Sequence, residues 1–242
     1  MRSVSIVIPA YNEERRLPAT LDRVHSYAAS QGWAFSEVLV VDDGSRDGTP
    51  QVVERMAASH PGLRLLRNPG NKGKGYSVKH GMLEAKGDWV LFSDADLSAP
   101  IEEIQKLFEA VERETAAVAI GSRALNRKLI AVHQSVLREY AGRFFNLTVR
   151  ILTGLNFWDT QCGFKLFRRD AAQAVFQRLL LERFGFDVEA LFIARLHGFK
   201  TVEVAVRWSH ADGTKVSMWR DSMDMFLDLL RVRIFQRMGR YD

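Results

Sequence analysis

Cysteine is almost missing from this sequence: Cys162 is the only one in 242 residues. A single thiol excludes an intramolecular disulfide and any cysteine-cluster metal site, and it fits a reducing compartment. No stretch of 18 consecutive apolar residues occurs, so no transmembrane helix is expected. Met1-Arg2 passes directly into a β-branched run without the cleavage pattern of a signal peptide, so none is expected. Internal repeats, low-complexity tracts and long linkers are lacking as well. With 47% hydrophobic and 26% charged residues, the composition is that of a globular chain, which excludes disorder. The length suits one domain with a real core.

Charge is present in both signs but unevenly placed. The formal net charge is +5, yet residues 1–122 carry 14 basic and 17 acidic side chains. Residues 123–183 carry 11 basic and 4 acidic, and residues 184–242 carry 9 and 8. A basic middle beside an acidic first half predicts an anionic partner. Nucleic acid, a lipid phosphate and a nucleotide all satisfy that condition. Interleaved aromatics and a nucleic-acid-binding motif are lacking, so nucleic acid is not the expected partner.

The periodicity alternates between strand and helix. Buried-type apolar runs at 3–9, 37–42, 63–66, 88–94 and 116–120 predict five strands. Helical spacing at 13–30, from about 47, at 76–85 and at 101–111 fills the intervals. Such alternation with short links predicts an α/β fold, a mostly parallel sheet with helices on both faces. Beyond 122 the rhythm changes. One long amphipathic helix is predicted over 129–153, then a loop, an extended run at 164–167, helices near 170–180 and 186–197, a strand at 201–206 and an apolar-rich helix at 217–237. The expected organisation is one catalytic domain over 1–215, divided at 122/123, and a C-terminal helical extension over 216–242.

Ligands of open parallel sheets bind outside the carboxyl ends of the strands. Three strands end in notable residues: Pro9-Ala-Tyr-Asn-Glu13, Asp42-Asp43-Gly44-Ser45 and Asp94-Ala-Asp96. All three are expected to line one cleft. Asp94 and Asp96 offer hard oxygen ligands for Mg²⁺ or Mn²⁺ on a substrate's phosphates, although Asp-x-Asp alone also suits a helix-capping loop. Four carboxylates in one cleft repel one another unless a cation or hydrogen-bond donors compensate. Gly70-Asn-Lys-Gly-Lys-Gly75 lies ahead of the third helix, where its glycines, Lys72 and Lys74 and the helix N-terminus favour an anion such as a diphosphate. It is neither a Walker loop nor a dinucleotide fingerprint.

Taken together, these segments and Gly121-Ser-Arg123 resemble the inverting family 2 glycosyltransferases with the Rossmann-like A-type fold. The resemblance implies that Pro9, Tyr11 and Glu13, with Asp42 and Asp43, hold the base and ribose of a nucleotide sugar. It also implies that Asp94 and Asp96 hold the metal on its diphosphate. The segments Asp159-Thr-Gln-Cys-Gly-Phe-Lys-Leu-Phe167, Phe186-Asp-Val-Glu189 and Gly213-Thr-Lys215 resemble the dolichyl-phosphate β-glucosyltransferases, and more distantly the mannosyl counterparts. This resemblance implies transfer of a hexose, glucose from UDP-glucose, to a polyprenyl phosphate.

The alternatives are mannose from GDP-mannose, a glycan hydroxyl acceptor, or a non-catalytic basic module on a membrane or nucleic acid. Arg123, Arg138 and Arg143 are the candidates for the acceptor phosphate, because guanidinium matches phosphate oxygens bidentately. Asp159, Gln161, Asp187 and Glu189 are candidates for orienting the sugar. Several mannosyl relatives have an arginine before the loop that here reads Ser209-His-Ala-Asp-Gly-Thr-Lys215, which shifts diphosphate contact to Lys215 or, more weakly, His210.

A lipid acceptor brings a membrane surface into play. The 217–237 segment has Trp219, Met223, Phe226, Leu230 and Ile234 on one side, with Arg231, Arg233, Arg237 and Arg240 toward its end. That pattern suits an interfacial helix, as well as one packed on the domain or a second subunit. The expectation is a peripheral enzyme on the cytoplasmic face of a membrane. The sequon Asn146-Leu-Thr148 on a predicted intracellular helix is read as chance.

Overall fold

The computed structural model describes residues 1–132, 136–209 and 218–242; side chains at 127, 131–144 and 218–223 are not among them. The chain begins with strand β1 (Ser3–Ala10), helix α1 (Leu17–Ser30), β2 (Phe35–Asp42), α2 (Thr49–Ala57), β3 (Leu63–Arg67), α3 (Lys74–Glu84) and β4 (Trp89–Ser93). A single 3₁₀ turn (Ile101–Glu103) leads into α4 (Ile104–Glu114) and β5 (Val118–Ser122). Next come β6 (Ile130–Val132), α5 (Val136–Thr153), β7 (Phe164–Arg168), α6 (Arg169–Arg178), α7 (Phe186–Leu196), β8 (Thr201–Ala205), β9 (Trp208–Ser209) and α8 (Met218–Arg237).

Seven strands form one sheet in the order β3-β2-β1-β4-β7-β5-β8. All its pairings are parallel except those of β7, which runs antiparallel between β4 and β5. The expected mostly parallel sheet with helices on both faces is thus the observed one.

Alternation along the strands feeds two cores. Ile6 and Ile8 of β1 enter one cluster with Leu17, Leu21 and Val24 of α1 and Leu107 and Phe108 of α4. Val7, between them, enters the other with Val78 and Met82 of α3 and most of α7. A strand buried on both faces is apolar except where a buried polar group finds a partner, as Ser5 does with Glu37, which is why these strands read as nearly continuous hydrophobic runs. Helix α1 starts where Pro18 can occupy the first turn without losing a hydrogen bond. Helix α4 stops at Thr115, which adopts the left-handed conformation at φ 49°.

One expectation fails locally. The long helix predicted from residue 129 starts only at Val136, because Ile130–Val132 is a strand paired in parallel with β9. Ile130 and Val132 fit a period of two as well as a helical stripe, and pairing beside the buried Trp208 decides between them.

The C-terminus is held firmly. Tyr241 is 2% exposed, its ring lies edge-on to Phe192 and Phe235, and its hydroxyl donates to Glu189 Oε1 at 2.7 Å. Glu189 also accepts from the Leu180 and Leu181 amides at 2.7–3.1 Å. Tyr241→Phe keeps the ring and removes one donor from this buried carboxylate. Thermal unfolding should register a loss of about 1–3 kcal/mol, a fall in Tm of a few degrees for a chain of this size. An unchanged Tm would show that the hydroxyl contributes nothing.

Candidate active site

The carboxyl ends of β1, β2, β4 and β5 lie along one edge of the sheet, and the antiparallel β7 begins at that edge. Segments 10–13, 43–46, 94–96, 123 and 159–163 therefore converge, as the strand-end rule predicts.

Backbone-to-side-chain bonds tie the segments together. The Asn12 amide donates to Ser45 Oγ at 2.9 Å, and the Arg46 amide donates to Asn12 Oδ1 at 2.8 Å. Glu13 donates its amide to Thr49 Oγ1 at 2.8 Å and pairs with Arg16. Tyr11 and Pro9 lie half-buried beside them. Asp42, buried, accepts from the Ser45 amide at 3.2 Å.

Asp43 builds the glycine loop from below. Its carboxylate accepts the amides of Lys72 and Gly73 at 2.9 and 2.8 Å and Asn68 Nδ2 at 2.9 Å. Gly44 has φ +71°, and a Cβ there would stand 2.7 Å from Gly70 Cα, so both the conformation and the close approach require glycine. Lys72 is exposed. Lys74, the first residue of α3, reaches Asp94 Oδ1 at 2.6 Å. Burial alone would lower the Lys74 pKa, but Asp94 and Asp187 outweigh it and hold the ammonium above its ordinary range.

Asp94 and Asp96 extend from the end of β4 and are partly exposed. The Asp94 amide donates to the Gly163 carbonyl at 3.1 Å. Gly163 faces the Asp94 carboxylate so closely that a Cβ would lie 2.0 Å from Oδ2. Asp96 Oδ1 accepts the Ser98 amide at 2.9 Å, a bond within the turn, while the helical residues that begin at Ile101 have no side-chain cap. This pair offers hard oxygen donors, and Asp94 already accepts a cation in the form of the Lys74 ammonium. The donor set thus fits a divalent ion that keeps water or phosphate oxygens as further ligands.

A second set of charges lies behind the first. Lys165, 2% exposed, donates to Asp187 Oδ1 at 2.5 Å and to the Cys162 carbonyl at 2.6 Å. Arg123 clamps Asp159 bidentately, Nε and Nη2 at 2.6 and 2.8 Å, and its amide donates to the same carboxylate at 3.0 Å. The guanidinium lies 5.5 Å from the Trp208 ring centre. Burial pushes the Asp159 carboxyl up, but Arg123 outweighs it and holds the pKa at about 2. A carboxylate depressed in the folded state stabilises it above the ordinary carboxylate range, and this contribution is lost only as pH falls through about 2. Burial pushes the Cys162 thiol up to about 12, so it stays protonated at neutral pH. Gln161 is half-buried, its amide on Asp159 Oδ1 at 3.1 Å.

The expected residues therefore divide. Asp94, Asp96, Lys74, Arg123, Asp159, Gln161 and Asp187 come to one place, with Pro9, Tyr11, Glu13, Asp42, Asp43 and Lys72 along the adjoining edge. Glu189 does not join them, since its oxygens serve Leu180, Leu181 and Tyr241 inside the fold. Lys215 and His210 lie outside the described residues, as do the side chains of Arg138 and Arg143 on α5. Two residues escaped the sequence reading. Glu203 on β8 accepts the amides of Trp158 and Asp159 at 2.7–3.0 Å and so sets the turn that presents Asp159. Lys165 neutralises Asp187. Glu203 lies in no distinctive motif, whereas Lys165 falls inside the 159–167 segment, where a lysine in the apolar run Phe164-Lys-Leu-Phe167 is itself a signal.

Comparison with known proteins agrees with this geometry. The sequence pattern described as glycosyl transferase family 2 matches residues 5–176. The chain is 36% identical to dolichyl-phosphate beta-glucosyltransferase ALG5D of Trichomonas vaginalis, over 98% of this chain and 74% of that one. It is 35% identical to the Homo sapiens dolichyl-phosphate beta-glucosyltransferase, over 96% and 75%. Among solved structures, glucosyl-3-phosphoglycerate synthase from Mycobacterium tuberculosis in complex with UDP superposes with a TM-score of 0.66 at 20% identity, covering 96% of this chain and 80% of that one. The mannosyltransferase PcManGT from Pyrobaculum calidifontis, in complex with GDP-Man and Mn²⁺, gives 0.60 at 20% identity, over 96% and 64%. These two show the A-type glycosyltransferase fold. With the family pattern over most of its length and these curated relatives along nearly all of it, the chain belongs to glycosyl transferase family 2 and is a glycosyltransferase.

Proposed function

We propose that the protein transfers glucose from UDP-glucose to a polyprenyl phosphate with inversion, assisted by a divalent cation. One observation carries the reading: the contact of Lys74 with Asp94 brings the glycine loop and the Asp-x-Asp strand end together, as a nucleotide diphosphate with its metal requires. The near full-length likeness to proteins named dolichyl-phosphate beta-glucosyltransferases supports the donor sugar and the acceptor.

In this reading Pro9, Tyr11, Glu13 and Asp42 line the base and ribose, and Asp43 acts through the loop it braces. Lys72 and Lys74 face the diphosphate, with Lys215 a further candidate. Asp94 and Asp96 would hold Mg²⁺ or Mn²⁺, which supplies charge neutralisation to the departing diphosphate. A phosphate oxygen of the acceptor attacks the anomeric carbon as the bond from that carbon to the diphosphate oxygen breaks, and UDP leaves with the electron pair. Arg123, Arg138 and Arg143 would serve as the acceptor's cations, with Arg123 held by its bidentate pair to Asp159. Gln161 is left to orient the sugar, while Asp187 is committed to Lys165.

A phosphate with a second pKa around 6 is already a nucleophile at neutral pH and needs no general base. Burial of the available carboxylates supports this acceptor over a sugar hydroxyl. Asp187 is 4% exposed and paired with Lys165, and Glu189 is fully buried and committed to Tyr241.

The lipid is met at a membrane surface, on the side where a lone buried thiol is at home. Among the described residues no helix is long and apolar enough to cross a membrane. On α8, Leu229 and Val232 are buried against the protein, while Phe226, Leu230 and Ile234 are exposed. That outward stripe, beside Arg231, Arg233, Arg237 and Arg240, suits peripheral attachment.

Incubation with Mg²⁺ or Mn²⁺, polyprenyl phosphate and a panel of UDP- and GDP-sugars should place label from UDP-glucose in the lipid fraction. Label from GDP-mannose alone would overturn the donor, and transfer only to a glycan would overturn the acceptor. Asp96→Ala should lower transfer at least about a hundredfold, because several kcal/mol of charge stabilisation would be lost, with an unchanged circular dichroism spectrum. Full activity of that variant in the presence of chelator would remove the metal from the mechanism. Gly163→Ala must displace the Asp94 carboxylate and should cost about a hundredfold in kcat/KM. Wild-type kinetics in that variant would show that Asp94 can move without penalty.

A further inference from the structure

The Asp94 carboxylate stands against Gly163, where an added Cβ would meet Oδ2 at 2.0 Å and Oδ1 at 2.6 Å, and Oδ1 also meets Lys74 Nζ at 2.6 Å. The backbone of Lys74 is fixed, since the loop ahead of it is anchored by Asp43 through the Lys72 and Gly73 amides. Its side chain is 25% exposed and that of Asp94 30%, so the ammonium sits at the rim of the cleft rather than sealed inside it. The ammonium lies 5.3 Å from the Phe92 ring centre, a further resting contact for its charge.

A divalent ion on Asp94 Oδ1 would compete for the lone-pair positions that Lys74 now uses. A metal at its usual oxygen distance and an ammonium on the same oxygen stand within roughly 4 Å, where two positive charges repel strongly in a partly desolvated cleft.

Resting on the reading of Asp94 and Asp96 as the cation ligands, we infer that Lys74 is a placeholder. Its ammonium neutralises Asp94 while the cleft is empty, and it swings to the diphosphate when the metal arrives with the nucleotide. Metal alone must turn Lys74 out toward water. Metal with a diphosphate gives it an anion to meet, so each ligand favours the other and the coupling is reciprocal. Lys74 is thereby a positioning residue for the order in which the cleft fills.

The test reads Mn²⁺ binding directly. Free Mn²⁺ is measured by electron paramagnetic resonance during titration of the wild-type protein, Lys74→Met, Lys74→Arg and Asp94→Asn, with and without UDP. Without UDP, Lys74→Met should bind Mn²⁺ about tenfold more tightly than wild type, within the usual range of coupling between sites. UDP should tighten Mn²⁺ binding in wild type and in Lys74→Arg, and by about tenfold less in Lys74→Met. Lys74→Gln, with similar reach and no charge, should repeat the Met result and stands in for it if Lys74→Met does not fold. Equal or weaker Mn²⁺ binding in the uncharged variants, with binding still abolished by Asp94→Asn, overturns the placeholder and leaves the metal reading intact. Mn²⁺ binding indifferent to Asp94→Asn overturns both.

Discussion

The antiparallel seam between β4 and β7 is the constraint on which the site depends. Ser93 pairs with Phe164, so the residues just outside the pair, Asp94 and Gly163, must meet. A slip of one residue would turn every β7 side chain to the opposite face and exchange its partners in the two cores. Because β7 runs against its neighbours, its amino end arrives where the parallel strands leave off. This reversal delivers the 159–163 segment, encoded far from the first three motifs, to the same edge.

Once the carboxylates are gathered, their charge must be met. The structure answers with fixed cations of its own: Lys74 for Asp94, Lys165 for Asp187, Arg123 for Asp159. Lys165 and Asp187 are dry, whereas Arg123, Lys74 and Asp94 each keep part of their side chain in water. Buried pairs of this kind are weak evidence for stability, because desolvation offsets most of the attraction. Their value here is geometric. Each pair joins two chain segments distant in sequence, and together they hold the edge of the sheet in one arrangement.

Much of this was legible beforehand. Strands buried on both faces announce themselves as apolar runs, and their ends carry the unusual residues, so the cleft could be placed without coordinates. Local signals failed where a long-range partner decided. Ile130–Val132 carries apolar residues compatible with a helix, and only β9, some 78 residues later, makes it a strand. Glu189 sits two residues from Asp187 in one motif, yet helix positions two apart point to different sides. One carboxylate faces Lys165 and the other the C-terminal tyrosine. Glu203 looks like any polar residue on a strand, and its role depends on a turn met only in three dimensions.

The contact between Gly44 and Gly70 bears on how such an enzyme can be altered. Two loops from different strands touch through bare backbone, leaving no side-chain volume to trim or enlarge. Neither position can compensate for change at the other, since the obstacle to a Cβ at 44 is main chain: the Gly70 carbonyl carbon and Cα and the Asn71 nitrogen. Under the proposed reading of this edge, redesign of donor preference would work with its side chains, such as Tyr11, Glu13 and Lys72, and leave Gly44 in place.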